Sequence, residues 1–322
     1  MLRLMEVIPP TSAKSILTLT VNPALDVSTS TERLDSSHKL RCSRSRLDPG
    51  GGGVNVSRVV KRLGGQTLAI FTAGGPTGEA YRRLMEDERI PALVMPIHGS
   101  TRQNFTIDET STGNQFRFVL EGPELSEEEC GICLELVAES IPAGGYVVAS
   151  GSLPPGVPED FYARVARLVR HQGARCVVDA SGPALAEALA EGVFLIKPSL
   201  RELGAHFGAA LVSERSQIEA ASRLVDNGSA EYVALTLGEA GAVLVSKTGT
   251  LRLPVPPVHV LSTVGAGDSF LGAFVLRLAQ ERPVEDAFRA AVAAGSATAM
   301  TPATELCHRQ DVERLESEIM QW

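Results

Sequence analysis

A chain of 322 residues, 44% apolar and 21% charged with 30 glycines and 5% aromatics, can bury one large core and is neither disordered, collagenous nor disulfide-dense. Thirty Lys and Arg against 38 Asp and Glu leave a formal charge of -8, which excludes a protein built around a basic face for nucleic acid. An acidic chain that binds a phosphorylated small molecule must gather a few cations locally, because its overall field repels anions.

In chain order, residues 1–14 form an N-terminal extension without the apolar stretch of a signal peptide. Ile16 to Val21 then reads as the first strand. Residues 24–46 are polar and show little periodicity, whereas Gly50 to Gly53 lead straight into the helical run Val54 to Val60. A second apolar strand is predicted over Thr67 to Thr72. Residues 100–120 hold two alternating segments, Asn104 to Asp108 and Gln115 to Val119, around Thr110 to Asn114, the pattern of a hairpin. Cys130 and Cys133 form a CxxC in a Glu-rich helical stretch with no second pair. With five cysteines in all, the chain reads as one without disulfides, metal or redox use, in a reducing compartment.

Further strands are predicted over Tyr146 to Ser150, Arg175 to Asp179, Val193 to Ile196, Tyr232 to Leu237 and Ala242 to Ser246. Between them lie helical spacings such as Phe161-Val165-Leu168-Val169 and Ile218-Ala221-Leu224-Val225. Strands apolar on both faces belong in a sheet covered on both sides, so the expected fold is α/β, a doubly wound, mostly parallel sheet with helices on both faces. The segments 24–46 and 100–120 do not fit that buried sheet and are expected to form a small β-sheet lid. No apolar run of about eighteen residues could cross a bilayer, so no membrane partner and a cytoplasmic location are expected.

The strongest local signal is Thr263-Val264-Gly265-Ala266-Gly267-Asp268-Ser269 ahead of the apolar helical run Phe270 to Leu276. A Gly-Ala-Gly turn at a helix start aims unpaired N–H groups at one point, where the helix dipole also favours negative charge. Asp268 is either a carboxylate in the first turn favoured by that dipole or a base beside a bound phosphate. No G-x-x-x-x-G-K-[ST] occurs, and no G-x-G-x-x-G follows an early strand, which excludes the P-loop mechanism and disfavours a dinucleotide dehydrogenase. The four-glycine run demands a backbone that comes close to something, with Asn55 offering donor and acceptor together.

Seven segments in register carry a resemblance: Asn22-Pro23-Ala24-Leu25-Asp26, Gly50 to Asn55, Thr101-Arg102-Gln103-Asn104, Ser150-Gly151-Ser152-Leu153-Pro154-Pro155-Gly156, Lys197-Pro198-Ser199, Thr236-Leu237-Gly238 and Thr263 to Ser269. From about residue 15 to 310 the chain resembles the PfkB branch of ribokinase-like sugar kinases, the closest resemblance being to members that act on fructose 6-phosphate. The resemblance implies a kinase domain over 15–310 with a lid that also forms a homodimer interface, and ATP with Mg²⁺ as phosphoryl donor. It implies phosphorylation of the 1-hydroxyl of fructose 6-phosphate in glycolysis.

Carried over by position, Asp268 is the base, and the backbone of Gly265, Ala266 and Gly267 the anion hole. Asp26, Gly51, Gly52, Gly53, Asn55 and Ser152 take the sugar, while Arg102 and Lys39 take its phosphate, Lys39 from this chain or a neighbouring subunit. Lys197, Ser199, Thr236, Gly238 and Gly241 surround the nucleotide, and Glu202 serves the metal. Ser199 stands where the family has Asn in Lys-Pro-Asn-x-x-Glu, which puts the affinity for Mg²⁺ in question. Met300 to Glu305 departs from the family pattern that holds a potassium-like ion, so K⁺ stays an open cofactor. Asn22-Pro23-Ala24 leans toward 1-phosphofructokinase, with tagatose-6-phosphate kinase a further alternative, while the four glycines and Ala73 to Gly78 lean back. A non-catalytic sugar-phosphate-binding regulator is the alternative from another class, disfavoured by the intact Gly-Ala-Gly-Asp.

Overall fold

The computed structural model describes residues 14–321. The expected N-terminal extension lies outside the described residues except for Lys14. The first half of the chain forms β1 (Ile16–Thr20), β2 (Ala24–Thr31), β3 (Arg46–Gly50), α1 (Gly52–Arg62), β4 (Leu68–Ala73), α2 (Gly75–Asp87), β5 (Ala92–Pro96), β6 (Arg102–Glu109), β7 (Asn114–Val119), α3 (Glu127–Ser140) and β8 (Tyr146–Ser150). The second half forms α4 (Phe161–His171), β9 (Arg175–Asp179), α5 (Gly182–Glu191), β10 (Val193–Ile196), α6 (Leu200–Phe207), α7 (Glu214–Asp226), β11 (Ala230–Thr236), β12 (Ala242–Ser246), β13 (Gly249–Leu253), α8 (Ala266–Ala279), α9 (Val284–Ala299) and α10 (Arg309–Ile319).

Nine strands make the main sheet in the order β13-β12-β11-β10-β9-β8-β1-β4-β5, parallel from β5 to β11 and antiparallel at β12 and β13. The central strands β1 and β8 are buried at every position, their few polar members Thr18, Thr20 and Ser150 included. One core lies under α3, α4, α5 and α7, a second under α1, α8, α9 and α10, and a smaller third packs α2 against β4. On the second face Phe270, Phe274 and Phe288 meet edge-on or tilted, with ring centroids 5.8 to 6.1 Å apart. The strands β5 and β13, not anticipated from the sequence, are the two edges. There, partial exposure dilutes the apolar pattern to Gly-Thr-Leu-Arg-Leu at β13. No helix among the described residues is long and apolar enough to cross a membrane.

The second sheet has the order β3-β2-β6-β7. Residues 24–46, expected in the sheet lid but without periodicity to delimit strands, supply β2 and the first residue of β3 around the excursion 32–45. Their alternation is between a polar and an apolar face of one thin sheet, which a search for wholly apolar strands overlooks. The hairpin loop is four residues long, Thr110 to Gly113, since Glu109 pairs with Asn114. Register places Asp48, Asp26 and Asn104 in one cross-strand row and Leu47, Val27, Phe105 and Phe118 in the next, so the two rows face opposite ways. The polar row looks toward the carboxyl ends of the main strands.

Cys130 and Cys133 on α3 are buried free thiols, and burial pushes Cys133 up to about 12. Phe274 is wholly buried beneath α9. Its replacement, Phe274→Ala, is expected to lower the unfolding free energy by about 3–5 kcal/mol, measured by urea denaturation.

Candidate functional site

At the carboxyl ends of β1, β8 and β9, a cavity of about 260 Å³ is lined by Gly51, Gly52, Asn55, Ser150, Gly151, Ser152, Asp179, Ala180, Ser181, Glu202 and Asp268. Such a location follows from the fold, because parallel strands deliver their ends and the helix N-termini to one side. The glycine run forms the wall. Gly50 ends β3, Gly51 precedes α1 with φ +120°, and α1 starts at Gly52. A Cβ on Gly50 would stand 2.0 Å from Asp26 Oδ2, one on Gly52 2.1 Å from Ser150 Oγ, and one on Gly53 2.5 Å from the Leu19 carbonyl. The close approach expected of these glycines is therefore to the floor of the site itself.

Gly265 takes a left-handed φ of +74° just before α8, which turns the chain so that the helix begins at Ala266. Ala266 N–H donates to the Thr263 carbonyl at 3.3 Å, so of the three residues expected to form an anion hole it already has a backbone partner. Asp268 sits in that turn, and its Oδ2 accepts from Asn55 Nδ2 at 2.8 Å. Burial pushes its carboxyl up to about 7, with Asp179 and Asp26 adding to the rise and Asn55 and Lys197 opposing it. Asp268 is thus poised near neutrality.

Lys197 is buried at the end of β10 with its Nζ 3.2 Å from Asp179 Oδ1. Burial pulls Lys197 down, but Asp179 and Asp268 outweigh it and its ammonium is held above the ordinary lysine range. Asp179 was not anticipated from the sequence, although a carboxylate on the last residue of a predicted buried strand is a usable signal. A Cβ on Gly267 would stand 3.1 Å from Lys197 Nζ, so the helix start packs directly against that ammonium.

On the lid side, Asp26 Oδ1 accepts from Asn104 Nδ2 at 3.0 Å, and burial pushes Asp26 up to about 6. Arg102 opens β6 beside it, donating from Nη1 to the Leu120 carbonyl and from Nη2 to the Asn22 carbonyl, both at 2.9 Å. Its buried Nε has no partner among the described residues. The same holds for Asn22 Oδ1, while Asn22 Nδ2 donates to Ser152 Oγ at 3.1 Å. Lys39 is exposed in the excursion between β2 and β3 and does not line the cavity.

On the other flank, Ser199 and Glu202 form a capping box on α6: Ser199 Oγ accepts from Glu202 N–H at 3.3 Å, and Glu202 Oε2 accepts from Ser199 N–H and Oγ at 2.8 Å. The Ser199 hydroxyl expected beside the nucleotide is therefore committed to the cap, and Glu202 keeps Oε1 for the cavity. Thr236 binds the Pro198 carbonyl through both N–H and Oγ1, holding β11 against the Lys-Pro-Ser turn. Gly238 opens a short 3-10 turn and Gly241 closes it with φ +94°, both outside the cavity lining. A methyl at Gly52 collides with Ser150, so Gly52→Ala is expected to cost about 1–3 kcal/mol of stability in urea denaturation, with part recovered by adding Ser150→Ala.

The pattern of the pfkB family of carbohydrate kinases matches residues 21–310. The chain is 44% identical to "ATP-dependent 6-phosphofructokinase isozyme 2" of Mycobacterium tuberculosis, over 93% of this chain and 88% of that protein. It is 34% identical to the 1-phosphofructokinase of Bacillus subtilis, over 94% of this chain and 98% of that one. The crystal structure of phosphofructokinase-2 from Escherichia coli in complex with fructose-6-phosphate superposes with a TM-score of 0.90 at 39% identity, covering 95% and 99% of the two chains. The glycine wall, the Gly-Ala-Gly-Asp helix start and the lid therefore stand in a fold shared along nearly the whole chain, which belongs to the pfkB family of carbohydrate kinases.

Proposed function

We propose that the protein transfers the γ-phosphoryl group of ATP to the 1-hydroxyl of fructose 6-phosphate, giving fructose 1,6-bisphosphate and ADP. The observation that carries this reading is Asp268, poised at about 7 in the first turn of α8 and open to the polar cavity. In the reaction Asp268 takes the hydroxyl proton as the sugar oxygen attacks the γ-phosphorus, and ADP leaves from the opposite side. The first-turn N–H groups and the α8 dipole face the charge carried by the phosphoryl oxygens. Transfer of this kind depends on positioning and charge stabilisation rather than covalent help.

Asp26 and Asn104, already bonded to each other, offer the sugar a carboxylate and an amide on one row of the lid. Arg102 binds the 6-phosphate, its unpartnered Nε among the donors it brings. The higher identity to the named 6-phosphofructokinase than to the 1-phosphofructokinase, 44% against 34%, supports this sugar ester. Lys197, Thr236, Gly238 and Gly241 border the nucleotide. Bound with the nucleotide, Mg²⁺ would supply neutralisation of the phosphate charge.

Glu202 Oε1 is the hard oxygen donor this chain offers toward that ion, directly or through water. No group of three or more His, Cys, Asp or Glu able to hold a metal occurs among the described residues, which fits an ion carried mainly by phosphate and water. Leu47, Phe116 and Phe118 are exposed on the outer face of the lid, and we assign that face to a homodimer contact that leaves Lys39 near the neighbouring sugar site.

Turnover measured as ADP release from MgATP is expected to be strongest with fructose 6-phosphate, weaker with tagatose 6-phosphate and fructose 1-phosphate. Preference for either of the others would reassign the substrate. Asp268→Asn is expected to lower kcat by about 10²- to 10⁴-fold, and in the unmodified enzyme activity should rise with pH through about 7 as the base loses its proton. Arg102→Ala should raise KM for the sugar phosphate by roughly ten- to a hundredfold with a smaller effect on kcat. Phe118→Asp should convert a dimer to monomers in sedimentation.

A further inference from the structure

Arg58 is 2% exposed and heads the largest fully buried side chains, one turn beyond Asn55 on α1. Its guanidinium reaches four acceptors. Nε donates to Glu88 Oε1 at 2.8 Å and Nη2 to Asp48 Oδ1 at 3.2 Å. Nη1 donates to the Pro49 carbonyl at 3.2 Å and to Asn55 Oδ1 at 3.3 Å. The other end of the Asn55 amide donates to Asp268 Oδ2.

An amide turned by 180° fills nearly the same space, so something must decide which end meets the carboxylate. Turned over, Asn55 would set its oxygen against Asp268 and its NH₂ against a guanidinium that has only donors, like against like on both sides. We propose that Arg58 is a positioning residue for phosphoryl transfer, holding the Asn55 amide with its N–H toward Asp268. The proposal rests on the kinase reading, with Asp268 as the base.

The lock is itself fixed by charge. A buried guanidinium is costly unless paired, and Asp48 and Glu88 pair with it, with Arg62 lying 3.8 Å from Glu88 on the next turn of α1. Asp48 is held in turn by Arg46 Nε and by Thr304 Oγ1, each at 2.7 Å. Lid strand β3, helix α1 and the segment after α9 therefore meet at this one cation. Around Asp268 the charged neighbours are Asp179 on β9, Asp26 on β2 and Lys197 after β10, and Asn55 is the neutral donor among them. Turning the amide would exchange a donor for a lone pair and favour the protonated carboxyl.

Arg58→Lys keeps the charge that Asp48 and Glu88 need, but a single ammonium drawn to two carboxylates releases the neutral Asn55 oxygen. The test measures kcat across the acid limb with MgATP and fructose 6-phosphate, together with the ¹³C-carboxyl titration of Asp268 in ligand-free protein, assigned by Asp268→Asn. Arg58→Lys and Arg58→Gln should each move both curves up by about one pH unit, the usual worth of a hydrogen bond to a charged group. Asn55→Ala should move them comparably, and adding either Arg58 change to Asn55→Ala should move them no further.

An unmoved titration in folded Arg58→Lys overturns the proposal, as does an equal shift in the Asn55→Ala background, which would mean that Arg58 acts through space. If Arg58→Gln fails to fold, the Arg58→Lys comparison decides alone. A wild-type chain that turns over no fructose 6-phosphate defeats the functional reading separately, while the carboxyl titration still decides the geometry.

Discussion

A carboxylate half-buried at the start of a helix, beside two other carboxylates, has to be balanced from several directions, and Asp268 sets that requirement here. Burial lifts it to about 7, and Asp179 and Asp26 lift it in the same direction, so without Asn55 and Lys197 it would stay protonated at neutrality. The two counterweights come from different elements, Asn55 from α1 and Lys197 from the end of β10, where Asp179 at the end of β9 holds the ammonium. The parallel sheet makes this convergence possible, because it brings strand ends and the starts of α1, α5, α6 and α8 to one rim.

The same rim explains the placing of the glycines. Gly50, Gly52 and Gly53 are packed against Asp26, Ser150 and β1 so tightly that any side chain would force α1 outward. Moving α1 would separate Asn55 from Asp268. The close packing of a wall and the proton affinity of a base are thereby one structural property, and the wall belongs to the same chain segment that joins the lid strand β3 to α1.

The lid is a sheet with two chemically different faces. The row Asp48, Asp26 and Asn104 turns toward the site, and the row Leu47, Val27, Phe105 and Phe118 turns away, because neighbouring residues on a strand point oppositely. A sheet of this thinness has no second layer of its own on the outer side, which is why its exposed aromatics are read as a contact surface between copies.

The alternating apolar segments determined the parallel sheet, since a strand buried on both faces must be apolar throughout. The Gly-Ala-Gly-Asp turn and the glycine run marked two segments that the structure brings to one cavity, since only small residues allow backbone that close. The sequence pointed to a sheet lid but did not delimit β2 and β3, whose one-sided pattern resembles a polar loop, and it did not show β5 and β13, where edge exposure blurs the signal. The Ser199-x-x-Glu202 spacing is itself a capping-box signature, so the commitment of that hydroxyl was legible locally, whereas the meeting of Arg58, Asp48 and Glu88 was not. Oppositely charged residues ten and thirty positions apart carry no local pattern, and only the packing of α1 beneath the lid strand brings them within hydrogen-bonding distance. Local periodicity fixes elements, but the pairing of buried charges is decided by tertiary proximity alone, because the cost of leaving them unpaired arises only once water has been excluded.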